Sequence, residues 1–286
     1  MHRASNIGGA RSRLADAACW LVLAFLIVMI IFPFLYILST ALKTDSDLAT
    51  SAGRLLPKTP AIKNFAEAWK LLDFPRCFLN SFIVAVSVTA LTILVCSMAA
   101  YVFTRLEFRG KNVVFMLFLS TMMIPITVRL IPSYALCKQL NLLNTYTGMI
   151  LPQVAWSIPF GTFLMRQFYS GVPRQLDEAA KIDGANHLQI FTRIVVPQTV
   201  SAMTTLGIYT FISAWNNLIW ILLVVSNKTK WTITLGISSI CGASVIKQPL
   251  WNLIMCVIVI GILPVLILYF VFQKYFVQSV AASGIK

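Results

Sequence analysis

Six stretches of this chain contain no Asp, Glu, Lys or Arg: 17–42, 77–104, 112–128, 139–165, 194–227 and 248–273. They run 26, 28, 17, 27, 34 and 26 residues. A helix needs about 20 apolar residues to cross the hydrocarbon layer of a bilayer. A helix also satisfies its own backbone there, where water cannot. Five stretches are long enough outright. The third reaches span length if Arg129 sits at its end or lines an aqueous cavity. The expected fold class is therefore all-α, a polytopic membrane protein with six transmembrane helices. The spans are expected at about 15–42, 77–104, 112–136, 142–166, 194–226 and 248–273. A tail at 1–14 is expected to precede one membrane domain at 15–286, with no soluble domain expected.

Composition agrees. Hydrophobic residues make up 58% of the chain and charged residues 11%, with a mean hydropathy of +0.82. A soluble domain of this size could not bury so much apolar surface. The net charge of +14 would point to nucleic acid in a soluble protein. Here the cations flank the spans and no aromatic-plus-basic motif accompanies them, so the lipid bilayer is the expected partner and nucleic acid is not. Positive-inside bias places Arg3, Arg11 and Arg13 in the cytoplasm. It places Arg105, Arg109, Lys111, Arg166, Arg174, Lys181, Arg193, Lys274 and Lys286 there too. Both termini are then cytoplasmic. The outer segment 43–76 holds cations as well, diluted by Asp45, Asp47, Glu67 and Asp73. The first apolar stretch exceeds a signal-peptide core and is expected to stay as an anchor.

The cysteines Cys19, Cys77, Cys96, Cys137, Cys241 and Cys256 form no CxxC pair, and His2 and His187 are the only histidines. No metal site is expected, and buried packing is the expected role of the cysteines. Pro125 and Pro132 predict a kink or break in the third span, and Pro152 and Pro159 in the fourth. Outside, residues 64–72 suit a short interfacial helix with Phe65, Ala68, Trp69 and Leu72 on one face.

Between the fourth and fifth spans lies a hydrophilic stretch, 172–197. Pro173 suits the first turn of a helix. Asp177 and Glu178 fall early in it, where the helix dipole favours anions. Leu176, Ala179 and Ala180 share a face, smooth enough for close approach by another surface. Gly184 suits a left-handed C-terminal position. Asn186-His187-Leu188-Gln189 reads as a capping box opening a second short helix, with Leu188 and Phe191 as its apolar face. The expected result is a two-helix knob for a partner's groove.

The spacing here is Glu178-Ala179-Ala180, three residues, Gly184, nine residues, Ile194, two residues, Pro197. It resembles the EAA loop of ABC-importer permeases. The resemblance implies a type I ABC-importer permease fold in a bacterial inner membrane. It also implies a loop that docks a cytoplasmic ATPase through Glu178, Ala179, Ala180, Asp183, Gly184, Ile194 and Pro197. The implied partners are a second homologous permease, two copies of the ATPase and an extracytoplasmic solute-binding protein. ATP and magnesium would sit on the ATPase, and this chain would bind no cofactor and catalyse nothing. Further stretches resemble the carbohydrate branch of the family, of maltose and glycerol-3-phosphate type. They include Leu79-Asn80-Ser81-Phe82, Met123-Ile124-Pro125, Leu142-Leu143-Asn144-Thr145-Tyr146, Ala214-Trp215-Asn216 and the tail from Gln273 to Gln278. Val196 replaces the usual Leu, and Ser279 stands where Gly commonly follows.

A polar stripe on the fifth span is a candidate solute path. Thr205, Tyr209, Ser213, Asn216, Asn217 and Trp220 recur at helical spacing. Amides and hydroxyls can meet sugar hydroxyls, and aromatic faces can meet the C–H faces of a sugar ring. The same residues also suit interhelical packing. Arg129 either snorkels to headgroups or lines the path, where it would attract an anionic solute such as a phosphorylated polyol.

Other functions fit less well. Within the importer class a peptide, amino-acid or ion permease is the main alternative. A stand-alone secondary transporter usually carries ionisable groups mid-span, and Asp and Glu are absent from every central span. No Gly-x-Ser-x-Gly elbow and no phosphate-cradling Gly-x-x-x-x-Gly-Lys motif appears, which disfavours an enzyme.

Overall fold

The charge-free stretches become helices because a helix pairs its own backbone groups where water cannot. The computed structural model describes residues 6–50, 53–71, 73–243 and 250–284. In chain order the helices begin with α1 (Asn6–Ala41), α2 (Asp45–Thr50), α3 (Lys63–Leu71) and α4 (Phe74–Arg105). There follow α5 (Lys111–Ser120), α6 (Ile126–Gln139), α7 (Tyr146–Ser170), α8 (Arg174–Ile182) and α9 (His187–Ile190). The last are α10 (Val196–Gln198), α11 (Val200–Trp215), α12 (Ile219–Val224), α13 (Ile233–Ala243) and α14 (Trp251–Gly284). Arg3, Leu72 and Lys286 lie outside the described residues, as do the side chains of Arg11, Arg13, Lys274 and Ser279.

Among the described residues, four helices are long and apolar enough to cross a membrane. They are Asp16–Ala41, Phe74–Arg105, Tyr146–Ser170 and Trp251–Gln273. A fifth crossing exists if Lys111–Met123 and Ile126–Gln139 count as one, and these meet at 99°. The break falls at Pro125, which caps α6, whereas Pro132 lies inside that helix.

The fifth span was expected as one helix over 194–226 and is instead segmented. Phe191–Val195 is a π-helical turn, and α10, α11 and α12 follow in succession. With 16 residues, α11 is about 24 Å long at the usual helical rise. It ends at Trp215, and Asn217 Oδ1 then accepts the Trp220 amide at 3.2 Å. A side chain thus replaces the backbone acceptor that an unbroken helix would supply.

Of the kink or break expected at Pro152 and Pro159, a break does not occur, since both lie inside α7. Pro152 has no N–H to offer the Gly148 carbonyl one turn back. The Trp220 indole N–H takes that acceptor instead, at 3.1 Å.

The structure divides into two compact units. The first comprises residues 1–71 and 240–260. Its α1 carries no charged residue after Asp16, and from Trp20 to Phe32 its large side chains are exposed, as a lipid-facing helix requires. The segment after α1 is tied down by polar contacts. Asn64 Nδ2 donates to the carbonyls of Ala41 and Lys43, both at 2.8 Å. Asn252 Nδ2 donates to Asp45 at 2.9 Å. The expected outer helix forms as α3 with a different face: Asn64 and Ala68 are buried, while Trp69 is exposed.

The second unit comprises residues 72–239 and 261–286. Here α4, α7 and α11 pack together around Cys96, Ala100, Met165, Tyr169, Ala202 and Leu206. Small residues permit the approach: a Cβ added at Gly161 would lie 2.6 Å from Cys96 Sγ. Cys77 and Cys137 of this unit are also buried; in the first unit Cys256 is buried, but Cys19 and Cys241 are exposed, contrary to expectation. Both lie on helical surfaces that this chain leaves uncovered.

Candidate functional site

Two places in the second unit concentrate polar chemistry. The first is the loop after α7. Pro173 is the N-cap of α8 rather than its first residue. Helix α8 is fastened to the end of α4 by two arginines. Arg105 Nε lies 2.8 Å from Asp177 Oδ2, with side-chain exposures of 4% and 10%. The contact is a close ion pair that lacks hydrogen-bond alignment at Nε. Arg105 also donates through Nη2 to the Val172 carbonyl at 2.8 Å, and Arg174 Nη2 donates to the Thr104 carbonyl at 3.1 Å.

The helix ends as its sequence demands. Gly184 adopts φ +83°. The Gly184 amide donates to Lys181 at 3.0 Å and the Ala185 amide to Ala180 at 2.9 Å. Those paired bonds satisfy two carbonyls that a helix C-terminus otherwise leaves open. The next turn opens on a complete capping box. Gln189 N donates to Asn186 Oδ1 at 2.9 Å and Asn186 N to Gln189 Oε1 at 2.8 Å. Its apolar face is not the expected one. Ile190 and Val195 are buried and Phe191 packs beside them, while Leu188 is 67% exposed. Tyr101 anchors this turn, with its ring 5.4 Å from that of Phe191 and its hydroxyl 3.2 Å from His187 Nδ1.

What remains outside is distinctive. Glu178, Ala179, Asp183, Gly184 and Pro197 are exposed, while Ala180 and Ile194 are half-buried against the core. Leu176 and Ile182, the latter 88% exposed, join Leu188 as apolar side chains facing out of a hydrophilic loop. The loop is thus braced at its root and carries apolar side chains on an otherwise polar surface.

The second place is a cavity of about 150 Å³ walled by α4, α6, α7 and α11 and their ends. It gathers four of the expected path residues, Arg129, Tyr209, Ser213 and Asn217. Asn216 is exposed elsewhere, Thr205 does not reach the cavity, and Trp220 is fully buried as the donor to Gly148. The opposite wall comes from α7, through Gln153, Trp156, Ser157 and Phe160. Asn217 Nδ2 donates to Gln153 Oε1 at 2.9 Å, which joins the two walls. Phe160 and Tyr209 lie ring to ring at 4.8 Å. Such a surface can hydrogen-bond hydroxyls and stack against an apolar ring face.

The loop and the cavity's α7 and α11 walls fall within residues 92–282, which match the binding-protein-dependent transport system inner membrane component family. The chain belongs to that family. This permease is 33% identical over 263 residues to the sulfoquinovosyl glycerol transport system permease SmoH of Agrobacterium fabrum, covering 92% of this chain and 91% of that one. It is 32% identical to the arabinooligosaccharides transport system permease AraQ of Bacillus subtilis, covering 94% and 95%. It is 31% identical to the sn-glycerol-3-phosphate transport system permease UgpE of Yersinia pestis, covering 94% and 96%. Its fold is similar to a chain in the crystal structure of a bacterial ABC transporter involved in the import of the acidic polysaccharide alginate. The TM-score is 0.82 at 23% identity, with 93% of this chain and 98% of that chain covered.

Sequence reasoning missed the α7 wall of the permease's cavity. Gln153, Trp156, Ser157 and Phe160 do recur at helical spacing, but spacing alone does not tell whether that face meets α11 or lipid. It also read Arg105 and Asp177 separately, as a topology signal and a helix-dipole charge. Their pairing joins residues 72 positions apart and has no local signature.

Proposed function

We propose that this permease forms half of the translocation path of an ATP-driven importer for a sugar or sugar-like solute. In this reading the loop at 172–197 docks a cytoplasmic ATPase. The observation that carries the docking is the apolar surface of Leu176, Ala179, Ile182 and Leu188 on a loop braced by the Arg105–Asp177 pair. Exposed apolar patches ringed by polar groups mark contact surfaces. A rigid root lets motion of the docked partner reach α4, α7 and α11, because the loop cannot flex independently of them. The named substrates of SmoH, AraQ and UgpE support a carbohydrate-like solute, as do the amide and aromatic walls of the cavity.

The finer parts of the proposal follow from the same reading. The chain crosses the membrane six times, counting the bent pair as one crossing and α11 with α12 as another. Both termini and the loop face the cytoplasm. A second permease completes the path, two ATPase copies hold ATP and magnesium, and an extracytoplasmic binding protein delivers solute. The permease itself is not catalytic. Its two access states would be biased by the ATPase's differing affinity for them.

The test is gentle detergent purification of the tagged chain from its host, with Cys introduced at Ala179 or Ile182 for cross-linking. The expected result is a co-purifying ATPase that cross-links at both positions, and a second permease. The chain arriving alone, under conditions where a known importer stays whole, would overturn the proposal.

A further inference from the structure

Arg129 stands in the first turn of α6, directly after the 99° break at Pro125. It lines the cavity, and it makes no ion pair or hydrogen bond among the described residues. Its Nε is buried without a partner. No Asp or Glu lines the same cavity. A guanidinium at membrane depth is costly, by about 2.5–3.5 kcal/mol on insertion scales, and such groups normally find a counter-charge. Among the described residues none is supplied. The start of α6 adds the positive pole of its own dipole on the same side. Broken transmembrane helices present such ends to anionic solute groups. Across the cavity, Tyr209 and Ser213 carry hydroxyls that make no hydrogen bond within the described residues, and Trp156 offers an aromatic face.

We infer that the solute is a sugar or polyol bearing an anionic group, a carboxylate, phosphate or sulfonate, and that Arg129 pairs with that group during passage. The inference rests on the cavity being part of the translocation path. The aromatic and hydroxyl wall takes the ring and its hydroxyls, and Arg129 takes the charge. A planar five-donor guanidinium suits an oxyanion better than a neutral hydroxyl does. Arg129 is thereby a specificity-determining residue.

The test uses the whole importer, with its binding protein, in proteoliposomes. The probes are matched pairs: galactobiose against digalacturonate, glucose against glucose 6-phosphate, and glycerol against glycerol 3-phosphate. The expected result is uptake of a charged member at least tenfold faster than its neutral partner. Arg129→Gln should lower the charged uptake at least tenfold in a complex that still assembles, and Arg129→Lys should restore part of it. Uptake of neutral members only, unchanged in Arg129→Gln, overturns the inference and leaves the sugar-importer reading standing. Loss of the second permease from the Arg129→Gln complex overturns it too, because the counter-charge is then a protein group. No uptake of any member, with a non-carbohydrate solute carried instead, removes the sugar reading and this inference with it.

Discussion

Arg105 at the end of α4 and Asp177 in the first turn of α8 form an ion pair at 2.8 Å that is almost sealed from solvent. It is incomplete, because Asp177 Oδ1 is buried with no hydrogen-bond partner among the described residues. Removing one member of a buried pair strands the other charge and costs about 3–5 kcal/mol, whereas replacing both by apolar residues is often neutral. Arg105→Ala and Asp177→Ala should each lower the thermal unfolding midpoint of the purified permease sharply. The double variant Arg105→Met with Asp177→Leu should recover most of the loss. Trypsin should cut the single variants faster at Arg174 and Lys181, since α8 loses its anchor. If the double variant is as unstable as the singles, the pair does more than hold the loop down.

Gly184 separates backbone strain from crowding. A left-handed C-terminal position was expected there. The left-handed φ of +83° is present, but a Cβ would meet nothing within 4 Å. Crowding at this residue can therefore come only from a docked partner. A β-branched side chain in this conformation costs about 1–2 kcal/mol, while Asn and Asp tolerate it better. Gly184→Val should lose both stability and ATP-driven uptake. Gly184→Asp should stay close to wild type in thermal unfolding and still lose uptake. Normal uptake by Gly184→Asp would show that the docking surface does not reach this glycine.

Trp220 was legible as important and illegible as to why. Its place in a polar stripe suggested a path lining, yet it is fully buried with its indole N–H on the Gly148 carbonyl. That acceptor is free because Pro152 cannot bond to it. Leaving a buried acceptor unpaired costs about 1–3 kcal/mol. Trp220→Phe should therefore destabilise the permease by that amount. Adding Pro152→Ala should restore part of it, because the alanine amide can then bond to Gly148. A thermal unfolding series in one detergent checks both, and no recovery in the double variant would mean packing dominates.

Most of the membrane architecture was readable because charge-free length is a local property. Four of the charge-free runs overlap the long apolar helices Asp16–Ala41, Phe74–Arg105, Tyr146–Ser170 and Trp251–Gln273. The capping box at Asn186 and the left-handed Gly184 were equally local. What escaped were features made by residues far apart. The segmentation of the fifth span depends on Asn217 finding both Gln153 and the Trp220 amide. The α7 wall of the cavity depends on α7 facing α11. Helical period alone does not say which of two polar faces turns towards the other.

Close packing of α7 against α4 and α11 rests on Gly161. An added Cβ would lie 2.6 Å from Cys96 Sγ and 3.1 and 3.2 Å from the Leu206 methyls. Helix propensity favours alanine over glycine by about 0.8–1.0 kcal/mol. Overpacking costs about 1–3 kcal/mol and opposes that gain. The Sγ contact is too short to absorb by small shifts, so overpacking should win and Gly161→Ala should be destabilising. Cys96→Ala removes the nearest atom and gives up only a weak 3.5 Å contact from Sγ to the Ile158 carbonyl. In the double variant the propensity gain should re-emerge, with a coupling energy of about 0.5–3 kcal/mol typical of contacting residues. A double-mutant cycle on thermal or denaturant unfolding measures it. Additive effects would mean that the Leu206 methyls, and not Cys96, set the distance between these helices.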